Sequence, residues 1–192
     1  MGNWKIDAAV LLTAGACLLL SGCGTIDEDY LNTEANTSVE ISVPYATAKR
    51  FMMPEPAPAW EGVRDAHFFA HTCPLLDEEN PWGDVMIPHR FWPKSEDCLN
   101  LNVWTKSIDK KAKKPVMVWF HGGGYSTGSA VEMVAYDGDR LVDFGDVVVV
   151  TVNHRLNILG YFDLSEYGER YHNSGNAGQA DLVEALRWVQ DN

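Results

Sequence analysis

A run of three glycines follows an apolar segment in the middle of the chain. The apolar residues 116–120 predict a buried strand that leads directly into residues 121–124, His-Gly-Gly-Gly. Glycine has no side chain, so such a run lets the backbone turn sharply and point N–H groups into a cavity. N–H groups placed in this way can hold the negative oxygen of a tetrahedral acyl intermediate. The run is therefore a candidate oxyanion hole, and a glycine turn that merely connects a strand to a loop is the alternative.

A serine lies within the same segment. Residues 124–128, Gly-Tyr-Ser-Thr-Gly, match the Gly-x-Ser-x-Gly pattern that can carry a nucleophilic serine at a sharp turn between a strand and a helix. Here the pattern overlaps the candidate oxyanion glycines, so Ser126 would have to occupy the loop that receives the substrate oxygen. We therefore predict that Ser126 is not a nucleophile.

The segments around this loop predict an α/β fold with helices covering a sheet. Residues 147–152 are β-branched and apolar on both faces, which is typical of a strand buried in a parallel sheet. Residues 99–104 alternate apolar and polar and predict a half-buried strand. Residues 181–191 predict an amphipathic helix with Leu182, Ala185, Leu186 and Val189 on one side and Asp181 at its N-terminus. Residues 44–93 contain eight of the nine prolines and predict loops and short edge strands, and the lysines of residues 110–114 predict a solvated turn.

The N-terminus predicts export. Residues 1–22 combine Lys5 with a 13-residue apolar stretch, too short to span a bilayer and typical of a signal peptide. Residues 20–23, Leu-Ser-Gly-Cys, resemble the bacterial lipobox, which implies lipidation of Cys23 and a membrane partner through that anchor. The polar, acidic residues 23–40 then form a tether, and the protein is expected in the bacterial cell envelope, outside the cytoplasm. A secreted protein, or a simple N-terminal anchor with a chance cysteine, is the alternative.

The remaining cysteines and the net charge indicate a disulfide and argue against a metal site and a nucleic-acid partner. With Cys17 in the signal and Cys23 lipidated, Cys73 and Cys98 are left in an oxidising compartment, where a disulfide is expected. A metal site is the rival, but no CxxC, HExxH or HxH spacing occurs, so we expect no metal and no cofactor. The formal net charge of −12 argues against nucleic acid as a partner, because backbone binding needs a basic face.

Six ordered blocks of residues 41–192 resemble the type-B carboxylesterase and lipase family. They are Pro44-Tyr45-Ala46 with Arg50-Phe51, residues 60–66, residues 95–103, residues 121–128, residues 153–155 with 159–162, and residues 175–178 with 181 and 185–192. The resemblance implies the N-terminal part of an α/β-hydrolase fold, with a mostly parallel central sheet, helices on both faces, and later elements lacking. Two departures are Asn100, where the family usually has Tyr or Thr, and Pro88, where cholinesterases carry a choline-binding Trp. A choline ester is therefore not expected as the substrate.

The resemblance also assigns roles to individual residues. Gly123 and Gly124 would supply two N–H donors of the oxyanion hole, and the family's disulfide falls on Cys73 and Cys98. Two ion pairs that are structural in the family fall on Arg50 with Glu96 and on Arg155 with Asp181. The alternative for these four residues is that they are solvated surface charges.

The family's nucleophile lies shortly after the helix that here ends at residues 191–192, and its acid and His follow later in the chain. The resemblance thus implies an N-terminal fragment of a serine carboxylic-ester hydrolase that acts on small-molecule esters through an acyl-enzyme and is inactive as it stands. A fragment of a non-catalytic, esterase-like adhesion protein is the alternative. An independent ester-binding module is a third hypothesis, disfavoured because its sheet would be incomplete.

Overall fold

Four strands build a mixed sheet that carries the glycine loop at one edge. The structure is a computed structural model that describes residues 39–62, 64, 66, 68–75 and 89–192. Strand β1 is Val39–Pro44, β4 is Asn100–Thr105, β5 is Val116–Phe120 and β6 is Val148–Val152, in the sheet order β1-β4-β6-β5. β4 pairs antiparallel with both β1 and β6, and β5 pairs parallel with β6. The predicted α/β class is confirmed; within the described strands, parallel pairing is confined to β5 and β6.

Three helices and several short turns complete the described chain. Helix α1 is Asp139–Gly145, α2 is Asn157–Tyr161 and α3 is Ala177–Asp191. The 3₁₀ turns are Lys110–Ala112, Val134–Tyr136, Ser165–Tyr167, Glu169–Tyr171 and Ser174–Asn176. A two-residue pair, β2 (Ala46–Thr47) with β3 (Glu55–Pro56), lies in the proline-rich region that predicts short edge strands.

Both faces of the central strands are covered. On one face a large apolar cluster joins β1, β4 and β6 to α3, and on the other a smaller cluster lies under α1. The larger cluster includes Ile41, Val43, Leu101, Val103, Val150, Val152, Ala185 and Trp188, and the smaller one consists of Trp104, Val142 and Val149. Strand β6 is therefore buried on both faces, as its β-branched sequence predicts.

The prediction of a half-buried β4 is wrong, because all six of its residues are buried. Trp104 packs against Val142 of α1 on the face that the alternation assigned to solvent. On the same face the Asn102 side-chain amide donates to Thr151 Oγ1 over 3.1 Å. Alternation shows which side chains point in opposite directions, but it cannot show whether a second layer covers the polar face.

The prediction for the last helix is wrong in its start, and the helix buries more residues than the predicted apolar side. α3 begins at Ala177, so Asp181 lies inside the helix rather than at its N-terminus. Its buried residues are Ala177, Gly178, Asp181, Glu184, Ala185 and Trp188, whereas Leu186 is exposed. Of the predicted apolar side, Ala185 is buried and Leu182 and Val189 pack against the larger cluster. The apolar pattern missed Asp181 and Glu184, because an ionised side chain is buried only when a partner compensates it.

Strand β5 forms where predicted, but it is not buried. Val116, Met117 and Trp119 are each close to half exposed, because β5 is the edge of the described sheet. No helix in the described part of the chain is long and apolar enough to cross a membrane. The predicted signal peptide, nearly all of the tether, Cys23 and Pro88 lie outside the described residues.

Candidate functional site

The glycine loop begins where β5 ends and has an unusual backbone. Gly123, Gly124 and Tyr125 follow one another with φ values of 115°, 59° and 62°. The N–H groups of Ser126 and Thr127 both donate to the Gly123 carbonyl, over 3.0 and 3.1 Å, and so close a tight turn. The Gly123 and Gly124 N–H groups donate no hydrogen bond to another group in the described part of the chain, and both glycines are exposed. The turn therefore leaves two donors open to an incoming acceptor.

A Cβ would collide with the backbone at two positions of the loop and would meet open space at a third, where the positive φ still favours glycine. A Cβ on Gly123 would collide with the Thr127 carbonyl, and a Cβ on Gly128 would collide with the Gly122 carbonyl. A Cβ on Gly124 would meet nothing within 4 Å. Gly123 and Gly128 thus permit the close approach that closes the turn, and the space beside Gly124 is open.

Two stacked imidazoles lie beneath the loop. The His121 and His154 ring centroids are 4.8 Å apart with an interplanar angle of 18°, and both residues are buried. Nδ1 of His121 donates to the Gly122 carbonyl over 2.8 Å, and Nδ1 of His154 donates to the Arg155 carbonyl over 3.1 Å. Burial, and secondarily the charge of His154, lowers the pKa of His121 to about 4, and burial also lowers the pKa of His154. Both rings are therefore neutral at pH 7, so these imidazoles place no charge beside the loop.

The chain that follows the loop is clamped to the end of β6 by Asn153. Its Oδ1 accepts from the Ala130 N–H over 2.9 Å, and its Nδ2 donates to Oδ1 of Asn100 over 3.0 Å. The buried Tyr45 hydroxyl donates to the Asn153 carbonyl over 2.8 Å. Every group in this clamp is buried, so each hydrogen bond avoids the cost of an unsatisfied polar atom.

Asn100, one of the departures from the family pattern, has a structural role in the same clamp. Its amide donates to the carbonyl of His71 over 2.8 Å and to that of Cys98 over 3.0 Å, while its oxygen accepts from Asn153. Sequence analysis missed both asparagines as parts of the site. The available signal was an asparagine at the start of β4 and another directly after β6.

The two predicted ion pairs both form, in very different surroundings. Arg155 and Asp181 are buried, with Nε 2.8 Å from Oδ2 and a second guanidinium nitrogen 2.6 Å from Oδ1. The Arg155 N–H also donates to Oδ2 over 3.0 Å, and its guanidinium reaches the Met52 carbonyl over 2.6 Å. Arg50 and Glu96 pair in solvent, and hydrogen bonding from Arg50 lowers the pKa of Glu96. The solvated-charge alternative thus describes only the second pair.

The remaining predicted residues lie as follows. Cys73 and Cys98 are joined in a disulfide whose Cα atoms are 5.0 Å apart, and both residues are buried. The Ser126 hydroxyl donates weakly to the Gly124 carbonyl over 3.4 Å. The next element along the chain is the 3₁₀ turn Val134–Tyr136 and not an α-helix. Where the structure describes side chains, no three His, Cys, Asp or Glu residues come together as metal ligands.

Known proteins resemble this chain over most of its length. The sequence profile of the carboxylesterase family matches residues 21–192. Carboxylesterase 3 of Homo sapiens is 41% identical over 168 residues, which are 83% of this chain and 28% of that protein. Para-nitrobenzyl esterase of Bacillus subtilis is 39% identical over 154 residues, which are 78% of this chain and 30% of that protein. The chain thus spans less than a third of the length of these relatives.

Solved structures agree with these matches. An esterase from anaerobic Clostridium hathewayi, described as able to hydrolyse aliphatic aromatic polyesters, has a TM-score of 0.78 and 56% identity. The match covers 81% of this chain and 31% of that one. A carboxylesterase of Geobacillus stearothermophilus has a TM-score of 0.68 and 40% identity, and the match covers 81% of this chain and 31% of that one.

Proposed function

The chain belongs to the carboxylesterase family, as its ordered motifs predict, and we propose that it is the N-terminal portion of a serine carboxylic-ester hydrolase. The observation that carries the proposal is the pair of open N–H donors at Gly123 and Gly124. They stand on a turn whose shape only glycine permits at Gly123. Donors that are fixed before the substrate arrives stabilise developing negative charge without any cost of reorganisation.

The proposed reaction proceeds through an acyl-enzyme. A serine oxygen adds to the ester carbonyl while a His takes the serine proton, and the carbonyl oxygen becomes an oxyanion. The N–H groups of Gly123 and Gly124 bind that oxyanion. The alcohol then leaves with the proton from the His, and water hydrolyses the acyl-enzyme to release the acid. We place the serine, the acid and the His of this triad beyond residue 192.

The substrate class follows from the chemistry of the family. We propose small-molecule carboxylic esters, because the chain belongs to the carboxylesterase family. The polyester-hydrolysing relative adds aromatic diesters to the substrates worth testing. Neither a metal nor a cofactor takes part in the proposed reaction.

The test begins with the coding sequence. We expect it to continue past residue 192 and to encode a Gly-x-Ser-x-Gly within about thirty codons, after a β-rich stretch. The complete-frame protein, meaning the product of that whole reading frame, should hydrolyse p-nitrophenyl butyrate, and replacing the new serine with alanine should abolish turnover. The 192-residue chain should show no activity above background. Another residue at the serine position would favour the adhesion-protein alternative, and a genuine stop with no such continuation would contradict the proposal.

We also propose that the mature protein is anchored outside the cytoplasm by a lipid on Cys23. The lipobox-like residues 20–23 and the polar tether up to residue 40 support this. Bacterial expression with a labelled fatty acid should mark the wild type, and Cys23→Ala should stay unlabelled. Equal labelling of both proteins would contradict the anchor.

A further inference from the structure

Asn157 connects the tip of the glycine loop to a distant part of the chain. Its backbone N–H donates to the Tyr125 carbonyl over 2.7 Å. Its side-chain amide donates to the Pro74 carbonyl over 3.0 Å, and its Oδ1 accepts from the Leu159 N–H over 3.4 Å. One residue therefore contacts both the loop and the segment that follows Cys73.

The Pro74 segment is a firm support. Cys73 is bonded to Cys98, which lies two residues before the start of β4, and the Asn100 amide donates to the His71 carbonyl. The Thr72 N–H donates to the Pro93 carbonyl, and the Thr72 carbonyl accepts from the Ser95 N–H, each over 3.0 Å. A segment held at three successive residues has little freedom to move when a fourth, Pro74, accepts a hydrogen bond.

The loop tip, by contrast, needs support. Tyr125 has a φ of 62°, and a non-glycine residue in this left-handed region is strained unless its surroundings hold it there. Its ring packs against Tyr161 of α2, with the ring centroids 5.2 Å apart. The Asn157 hydrogen bond fixes the Tyr125 carbonyl, and Gly124 is the next residue towards the N-terminus, so this contact restrains the backbone beside the Gly124 N–H.

Asn157 itself suits the position it occupies. Its φ is 47°, and asparagine enters this region more readily than other side chains. Glycine would keep the backbone N–H and the dihedral but lose the bond to Pro74. Aspartate would keep the shape and the acceptor for Leu159, but at neutral pH it has no proton to donate to the Pro74 carbonyl.

We propose that Asn157 is a positioning residue for the oxyanion loop, holding the Tyr125 carbonyl while its own side chain is held by the Pro74 carbonyl. The proposal rests on the proposed function, since it assigns Asn157 to the oxyanion loop of an ester hydrolase. Asn157 touches no reacting atom. It acts through Tyr125 on the backbone beside the Gly124 N–H.

The kinetic test compares Asn157→Asp and Asn157→Gly in the complete-frame protein with Asn173→Asp, which adds the same charge at an exposed loop asparagine. Both Asn157 variants should lower kcat about tenfold, the factor that corresponds to one hydrogen bond, and keep KM within about twofold. Asn173→Asp should match the wild type. A loss of thermal stability with kcat unchanged well below the melting temperature would overturn the proposal, because that is the result of a purely structural role.

A second readout needs no turnover. Fluorotyrosine labelling, with the Tyr125 resonance assigned from Tyr125→Phe, reports the position of the loop tip through its packing on Tyr161. The resonance should shift or split in both Asn157 variants and stay in place in Asn173→Asp. An unmoved resonance in both would overturn the positioning role even if the protein hydrolyses esters. A moved resonance in a protein without esterase activity would refute the proposed function while leaving Asn157 as the residue that holds the loop.

Discussion

Strands β5 and β6 pair in parallel, yet their surroundings are opposite. Val149, Val150 and Val152 of β6 are at most 2% exposed, whereas Val116 and Met117 of β5 are 46% and 49% exposed. β6 has a partner strand on each edge and an apolar cluster on each face, while β5 lies at the edge of the described sheet. Both strands are mainly apolar, so the difference in their burial comes from the layers around them.

The candidate site shows the same contrast between buried and exposed groups. We call its buried, hydrogen-bonded part the closed side and its solvent-exposed part the open side. On the closed side, Asn100, Asn153 and Tyr45 form buried hydrogen bonds, and Arg155 is paired with Asp181. On the open side, the Gly123 and Gly124 N–H groups are exposed. The candidate donors are thus presented by the open side and held in place from the closed side. A preorganised site requires this division, because donors that are free to bind must be fixed by other groups.

The largest expected effect comes from breaking the buried ion pair on the closed side. Asp181→Asn keeps the side-chain shape but leaves the Arg155 guanidinium buried without a counter-charge, which should cost about 3–5 kcal/mol of the free energy of unfolding. Urea denaturation of the complete-frame protein measures it. Glu96→Gln at the exposed pair is the control and should cause no resolvable change. Similar losses in both variants would contradict the contrast between buried and exposed pairs.

Acid should lower the free energy of unfolding through the protonation of His121. Its pKa is about 4 in the folded protein and about 6.5 when unfolded, so between these values the unfolded chain binds a proton that the folded one does not. The free energy of unfolding should therefore fall by about 1.4 kcal/mol per pH unit below pH 6.5, by about 3 kcal/mol in all, with no contribution above pH 7.

Carboxylates titrate in the same range, so the informative quantity is the difference between the wild type and His121→Gln, which cannot titrate. This difference should change with pH between 6.5 and 4 and be constant above 7. Parallel stability curves for the two proteins would show that the ring is not held neutral beneath the loop.

A smaller effect is expected from the hydroxyl that completes the Asn153 clamp. Tyr45→Phe leaves the buried Asn153 carbonyl without its donor and should cost about 1–2 kcal/mol of the free energy of unfolding. Tyr167→Phe removes a hydroxyl from an exposed ring and should cost nothing measurable. Urea denaturation of both variants measures the two losses in the free energy of unfolding. Equal losses would show that the Tyr45 hydroxyl does not stabilise the clamp.

Sequence patterns predict those parts of the fold that depend on local composition. The β-branched run of β6 and the glycines after β5 are local signals, and both correspond to the structure. The family and its α/β-hydrolase fold are confirmed by the matches to known esterases. What the patterns missed depends on residues distant in sequence. The second face of β4 is closed by α1, and Asp181 is buried because Arg155, 26 residues earlier, neutralises it.

At the candidate site, too, sequence patterns miss what depends on residues distant in sequence. The glycine loop is visible in the sequence because only glycine has the required backbone freedom and lack of bulk. The residues that hold it are ordinary asparagines, and nothing in residues 153–157 marks which carbonyl each amide will find. Asn153 and Asn157 acquire their roles only when Ala130, Asn100 and Pro74 are brought beside them.

The central claim is that the Gly124 N–H binds the oxyanion, and replacing that N–H alone tests it most directly. Glycolate incorporated at position 124 of the complete-frame protein substitutes an ester oxygen for the N–H and leaves the backbone path intact. We predict a loss of kcat of about 10²–10³-fold for p-nitrophenyl butyrate, with the melting temperature preserved. Gly124→Ala keeps the N–H and places its Cβ in open space, but it strains the backbone at a φ of 59°, so it should lose less turnover than the glycolate protein. An unchanged kcat in the glycolate protein would contradict the account.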